Sequence, residues 1–206
     1  MTSTPGNMAD HWWWRPGWRP GSRFFTWHLT FQSAPQVHDL ASRYRAALAD
    51  VPGLDLVPNQ WLHLTMQGLG FVDHVTEKDA RAVVEAATAR LAAVPAFDLE
   101  LDRPTITPEA IRWDPDSPGP DAVRRAIRAA INDVCSEVPE AAEGFSAHVT
   151  IAYSNSSGPT SPVRDALAKI PSSPAIARIT HADLIILNRD HRMYEWETFA
   201  PVPLGT

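Results

Sequence analysis

The chain is poor in thiols: Cys135 is its one cysteine in 206 residues. That excludes an intramolecular disulfide and argues against a thiolate metal cluster. Long apolar runs are missing too. Nothing reaches the roughly 20 residues that span a bilayer, and the opening MTSTPGNMADHWWWRPGWRP has no continuous apolar stretch of the secretory kind. A cytoplasmic monomer with no membrane partner is expected. Excess positive charge is also absent, with a net charge of −6 and a pI near 5.7. Proteins that grip long duplex nucleic acid draw their affinity from phosphate neutralisation and are usually basic. The balance therefore excludes a broad duplex-binding face, while a nucleotide or an RNA end held in a local basic pocket stays compatible with it.

What is plentiful is proline and tryptophan, nineteen and eight residues. The prolines fall between periodic segments and act as punctuation. In residues 11–23, HWWWRPGWRPGSR, they rule out a regular helix or central strand. The first 45 residues hold five arginines (Arg15, Arg19, Arg23, Arg43, Arg45) against Asp10 and Asp39, so positive charge is local and lies beside four tryptophans. Residues 1–23 read as an arm that either covers the core or lines a pocket, with Trp on a base and Arg on a phosphate.

Beyond the arm, FFTWHLTF (24–31) alternates as a strand, and residues 38–49 carry apolar side chains at helical spacing. Residues 76–93 form an amphipathic helix with Thr76 as N-cap. Strands are expected over 97–108 and 110–115, then a helix from Ser117 to about Glu137, a strand over 145–153 and a short helix from Ser161 to about Ile170. A hairpin over 179–187 and 193–199 ends the series. Each half thus shows a strand, a helix and a strand pair. This order predicts an α+β fold of two pseudo-symmetric lobes, each an antiparallel sheet with helices packed outside, around a central cleft. Residues 24–206 would form that single bilobal domain.

Two stretches within the order echo each other: His63-Leu64-Thr65 and, 85 residues later, His148-Val149-Thr150. Side chains alternate along a strand, so each His and Thr should share one face opposite apolar neighbours. Imidazoles titrate near neutral pH, and two of them across a cleft suit in-line displacement at phosphorus, one taking a proton and the other giving one. A threonine on the same face can donate to a non-bridging phosphate oxygen. A metal site is less well supported, because neither strand sets a carboxylate or second histidine at ligand spacing. His28-Leu29-Thr30 is a third copy; His28 and Thr30 are candidate substrate contacts, with Arg15 or Arg19 on a phosphate and Trp18 near a base. Tyr153 shares its parity with Val149 and Ile151 and reads as packing. His11 reads as a solvent-exposed histidine.

The paired motifs, the trailing MQGLGFV and IAYSN and the closing LIILNRDHRMYEWETFAPVPL resemble the two-histidine (2H) phosphoesterases, in particular bacterial 2′-5′ RNA ligases or cyclic phosphodiesterases. The likeness spans about residues 24–204; the arm departs from it. It implies two lobes around a groove, His63 and His148 as the catalytic pair, Thr65 and Thr150 as phosphate binders, and no metal or other cofactor. The implied reaction opens a 2′,3′-cyclic phosphate or cleaves a 2′-linked phosphodiester of an RNA end or small nucleotide. A binding module without turnover and a 2′-5′ RNA ligase are the alternatives. The chain has no G-x-x-x-x-G-K-[ST] loop for ATP.

Overall fold

The computed structural model describes residues 4–206; residues 1–3 of the arm lie outside the described residues. In chain order the elements are β1 (Asn7–Met8), β2 (Phe24–Thr30), α1 (Pro35–Leu48), β3 (Leu54–Leu56), a 3-10 turn (Asn59–Trp61), β4 (His63–Phe71), α2 (Glu77–Leu91), β5 (Phe97–Leu101), β6 (Thr105–Ile106), β7 (Ala110–Trp113), α3 (Gly119–Val134), β8 (Val149–Ser154), β9 (Gly158–Pro159), α4 (Ser161–Leu167), β10 (Ala175–Ile179), β11 (His181–Asn188) and β12 (Glu195–Pro203). The fold is α+β, as the element pattern predicts.

Local chemistry explains the helices. Thr76 caps α2 by accepting the Asp79 amide at 3.1 Å, and Glu77 and Asp79 place negative charge on the first turn. Its stripe of Ala80, Val83, Ala87 and Leu91 is buried. α1 begins at Pro35, three residues before the sequence pattern places it, because proline preforms the first helical turn. α3 ends at Val134 rather than near Glu137: Val134 is already exposed, and Cys135 turns to an extended conformation.

Two antiparallel four-stranded sheets dominate, ordered β12-β11-β2-β4 and β3-β8-β7-β6. Each holds one motif strand. The sheets are not built from successive halves of the chain, in contrast to the sequential duplication that the element order suggests. The first combines β2 and β4 with the C-terminal β11 and β12, and the second recruits β3 from the N-terminal half. Two expected strands also divide. Residues 97–108 split around Pro104 into β5, which pairs with β10, and β6, which joins β7. The segment expected over 179–187 contributes its first residue to β10, and after Thr180 the chain continues as β11 in another sheet. A continuous apolar run does not reveal which partner each part will find.

The motif strands turn their apolar faces inward: Leu64, Met66, Val149 and Ile151 are fully buried, with Trp27 and Trp113 among the largest core side chains. Truncating one such leucine costs on the order of 2–5 kcal/mol, so the histidines are carried on strands whose inner faces are fully packed. The arm is fastened to the β11–β12 turn. Asp190 accepts the Gly21 amide at 2.8 Å and pairs with Arg23, while the buried Arg189 guanidinium lies over the rings of Trp12, Trp18 and Tyr194 at 5.3–5.6 Å. Trp13 and Trp14 stay about half exposed.

Candidate active site

His63 opens β4, and His148 immediately precedes β8. Each imidazole is fixed in the same way: Nδ1 donates to the carbonyl two residues earlier, Trp61 for His63 and Ser146 for His148, both at 2.8 Å. That bond sets the tautomer and leaves Nε2 as the free, proton-accepting nitrogen. Burial holds the His63 pKa down at about 4, the Trp61 carbonyl pulls against this, and the charge of His148 lowers it further. His148 is only half-buried; desolvation lowers its pKa too, opposed by Ser146.

Both motif strands then carry a bulge at the same place. Trp27 pairs with Gln67 and His28 with Thr65, so Met66 is an extra residue on β4; Ile111 pairs with Ala152 and Arg112 with Thr150, so Ile151 is extra on β8. An added residue resets the alternation. Thr65 and Gly68 therefore share a face, as do Thr150 and Tyr153. This is why Tyr153, which simple parity assigns to packing, faces the cleft and approaches Thr150. The bulge at Met66 frees its carbonyl, and the buried Arg124 guanidinium of α3 donates to it and to the Ala141 carbonyl.

The cleft between the two sheets has a volume of about 490 Å³ and takes His63, Thr65, His148 and Thr150 into one wall-to-wall site. Around them stand Arg15, Trp18, Phe24, Arg112 and the carboxylates of Glu109 and Glu140. Arg112 lies in register with Thr150 and forms an ion pair with Asp114 at 2.8 Å. Glu140 sits at φ 62°, an uncommon conformation for a residue with a side chain, beside Gly68, where a methyl group would meet its Oε1 at 2.6 Å.

The remaining candidates from the sequence are distributed unevenly. Arg15 and Trp18 line the cleft; Trp18 packs edge-on against Phe71 and tilted against Phe24. Arg19 is exposed and pairs with Asp73 outside it, and Thr30 donates to Asp183 at 2.7 Å away from it. His28 is completely buried beside the motif strand on the same face as Thr65, its ring stacked on His63 at 4.3 Å with an 8° interplanar angle. Its Nδ1 has no partner, and its Nε2 lies 3.3 Å from Thr65 Oγ1. An orphaned acceptor costs less than an orphaned N–H, so the proton belongs on Nε2, where Thr65 Oγ1 accepts it. The Thr65 hydroxyl hydrogen is thereby left free to point into the cleft.

His11 corrects the expectation of a solvent-exposed histidine. It is buried, stacks on Tyr153 at 4.4 Å, donates from Nδ1 to Glu109 at 3.0 Å and accepts the Tyr194 hydroxyl at Nε2 at 3.0 Å. Burial and Arg15 bring its pKa to about 4 in spite of Glu109. His11, Glu109, Arg112, Glu140 and Tyr153 were not singled out as cleft residues by the sequence. Strand alternation in AIRWDP is a signal for Arg112, but nothing local states that its strand lies beside His148-Val149-Thr150. Among the described residues, no three His, Cys, Asp or Glu side chains converge in a metal-binding group, and no helix is long and apolar enough to cross a membrane.

Two facing histidine–threonine strands on an α+β frame define a class, and the chain belongs to it: the sequence profile of the 2′-5′ RNA ligase superfamily matches residues 31–191, both motifs included. The match begins after β2, so the arm and His28 lie before it. Among solved structures the fold is similar to TT0787 of Thermus thermophilus, with 14% identity over 88% of this chain and 97% of that chain and a TM-score of 0.69. It is also similar to E. coli LigT complexed with 3′-AMP, at 16% identity over 90% of this chain and 99% of that one, with a TM-score of 0.65. LigT complexed with NADP+ matches with a TM-score of 0.63 and the same identity and coverage. No curated protein matches the chain in sequence.

Proposed function

We propose that the protein is a phosphodiesterase that opens 2′,3′-cyclic phosphates, or cleaves 2′-linked phosphodiesters, of RNA ends or small nucleotides by histidine acid–base catalysis without a metal. The observation that carries this reading is the convergence of two tautomer-fixed imidazoles and two threonine hydroxyls in one cleft. His63, the more deeply buried and the more firmly neutral, takes the proton of water as its oxygen attacks phosphorus. His148, more open to solvent, takes the acid role in its protonated fraction and gives its Nε2 proton to the departing ribose oxygen as the P–O bond breaks. Thr65 and Thr150 donate to the non-bridging oxygens, and Arg112 offsets charge beside Thr150. Arg15 and Trp18, which line the cleft, meet a phosphate oxygen and a base in this reading. His28, buried beside them, supports Thr65 and His63 without touching substrate. That the fold relative LigT has been solved with 3′-AMP and with NADP+ favours a nucleotide as ligand.

The test is hydrolysis of a nucleoside 2′,3′-cyclic phosphate in EDTA, with the product followed by ³¹P NMR. Turnover is expected for the wild type and its loss in His63→Ala and in His148→Ala. Full activity in either variant sinks the mechanism, and tight binding with no product makes the protein a binding module instead.

A further inference from the structure

Arg189, the first residue after β11, is a buried cation without a counterion. It is 5% exposed, and the one hydrogen bond that its guanidinium makes among the described residues runs from Nη2 to the His11 carbonyl at a long 3.4 Å. Its Nε and Nη1 have no partner. The adjacent carboxylate, Asp190, is already taken: Oδ1 accepts the Gly21 amide and Oδ2 accepts from Arg23, both at 2.8 Å. The rings of Trp12, Trp18 and Tyr194 lie against the guanidinium at 5.3–5.6 Å. Aromatic faces attract a cation, yet they offer no acceptor to the N–H groups in its plane. A buried charge with unpaired donors is costly, and an oxyanion in that plane is the group that relieves it.

Arg189 also lines a pocket of about 250 Å³ between the arm and the β11–β12 turn, and the other walls are Trp12, Trp14, Asp190 and Arg192. None of these five residues lines the cleft; Arg189 stands between the two spaces, touching Trp18 and Tyr194 of the cleft wall. Trp12, Trp14 and Arg192 fall outside residues 31–191, so the pocket is not part of what the family profile describes. Arg23 offsets Asp190, which leaves the charges of Arg189 and Arg192 uncompensated in the pocket.

We propose that this pocket is a second ligand site, separate from the cleft, that takes a phosphate group between Arg189 and Arg192. A phosphate monoester carries a charge of about −1.5 to −2 at neutral pH and three acceptor oxygens, which matches two guanidinium groups and the unpaired N–H groups of Arg189. The space is smaller than the roughly 300–1,000 Å³ of pockets that enclose a whole organic ligand. The phosphate is therefore what it encloses, and any group attached to it extends along Trp14, whose half-exposed ring is a stacking surface for a planar base. The same chemistry is offered by inorganic phosphate and by a nucleotide monophosphate.

The test is calorimetric titration of the full chain with inorganic phosphate. Phosphate bound in the pocket should be lost in Arg189→Gln and weakened about tenfold in Arg192→Ala, the effect of one charge-assisted hydrogen bond. Phosphate bound in the cleft should be unchanged in both variants and weakened in Thr150→Val. Arg192 is exposed, so its variant should keep the wild-type melting temperature and decides the question if Arg189→Gln loosens the arm. Stoichiometry and affinity in Arg192→Ala equal to those of the wild type overturn the proposal, whatever the cleft does to a cyclic nucleotide. Adenosine 3′-monophosphate then separates the two sources at the site sensitive to Arg192. Weaker binding of this nucleotide alone in Trp14→Ala identifies a nucleotide phosphate as the occupant, and equal binding of both ligands in that variant identifies the free anion.

Discussion

β4 and β8 contain the same short device in different surroundings. In both, histidine Nδ1 is tied to the carbonyl two residues back, threonine follows on the same face, and a bulge comes directly after the threonine. The neighbours differ. Across from Thr65 stands neutral, buried His28, whereas across from Thr150 stands the cation Arg112. Three residues past the threonine, β4 has Gly68 and β8 has Tyr153. An acid–base pair needs two groups that are chemically alike but held in different protonation states. Here the motif supplies the likeness, and the difference lies in depth, since His63 is buried and His148 only half-buried; in the proposed reaction that difference separates base from acid.

The comparison breaks most clearly at the histidines. His63→Ala and His148→Ala should each lower kcat about 10³-fold on a cyclic nucleotide; a large loss in one and a small loss in the other would mean that the two strands do not share one reaction. Next come the threonines. Thr65→Val or Thr150→Val removes one hydrogen bond to an anion, about 1.5–3 kcal/mol, or roughly tenfold to hundredfold in kcat/KM. His28→Leu sharpens the contrast, because its effect should be non-additive with Thr65→Val and additive with Thr150→Val in double-mutant cycles.

The pH dependence is a further way to separate the strands. The base must be neutral and the acid charged, so kcat/KM should rise as His63 loses its proton near pH 4 and fall as His148 loses its own below its ordinary 6.5. The profile for kcat should lie at higher pH, since bound phosphate favours both imidazolium forms. Stability follows the same groups. A histidine whose folded pKa lies below its unfolded value is held neutral by folding, so its contribution is intact above pH 6.5 and is lost as the pH falls toward the folded value. For His63 this amounts to as much as about 3 kcal/mol by pH 4. Thermal melts from pH 7 to pH 4 should show this loss, and His63→Gln should flatten it. The smallest effect is reserved for Gly68→Ala. Its methyl group would meet the movable Glu140 carboxylate at 2.6 Å and the Phe24 ring at 3.0 Å, which costs about 1 kcal/mol in chemical denaturation.

Much of the frame was legible because it rests on local rules. Thr76 announces α2, Ser161-Pro162 opens α4, and the period-two pattern around His63 and His148 separates polar from apolar faces. What could not be read depends on partners distant in sequence. A bulge changes no residue type, so nothing in IAYS predicts that Tyr153 turns toward Thr150. His11 lies in an arm without periodicity, and its burial depends on Glu109 and Tyr194, 98 and 183 residues away. His28-Leu29-Thr30 repeats the motif in letters alone: pairing sets His28 beside Thr65 as a buried neighbour and commits Thr30 to Asp183.

The cross-wise recruitment of strands has a consequence for biosynthesis. A ribosome that has released everything through β10 has delivered both histidines and both threonines, yet β11 and β12, half of the sheet that carries His63, do not yet exist as strands. β2 then has one edge open, and Arg189 has not arrived to fasten Trp12 and Trp18. Pairings of such long sequence separation form late and slowly. A partly translated or C-terminally clipped chain therefore holds both histidines and both threonines without the complete frame that brings them into one cleft, which is finished only by the last strands off the ribosome.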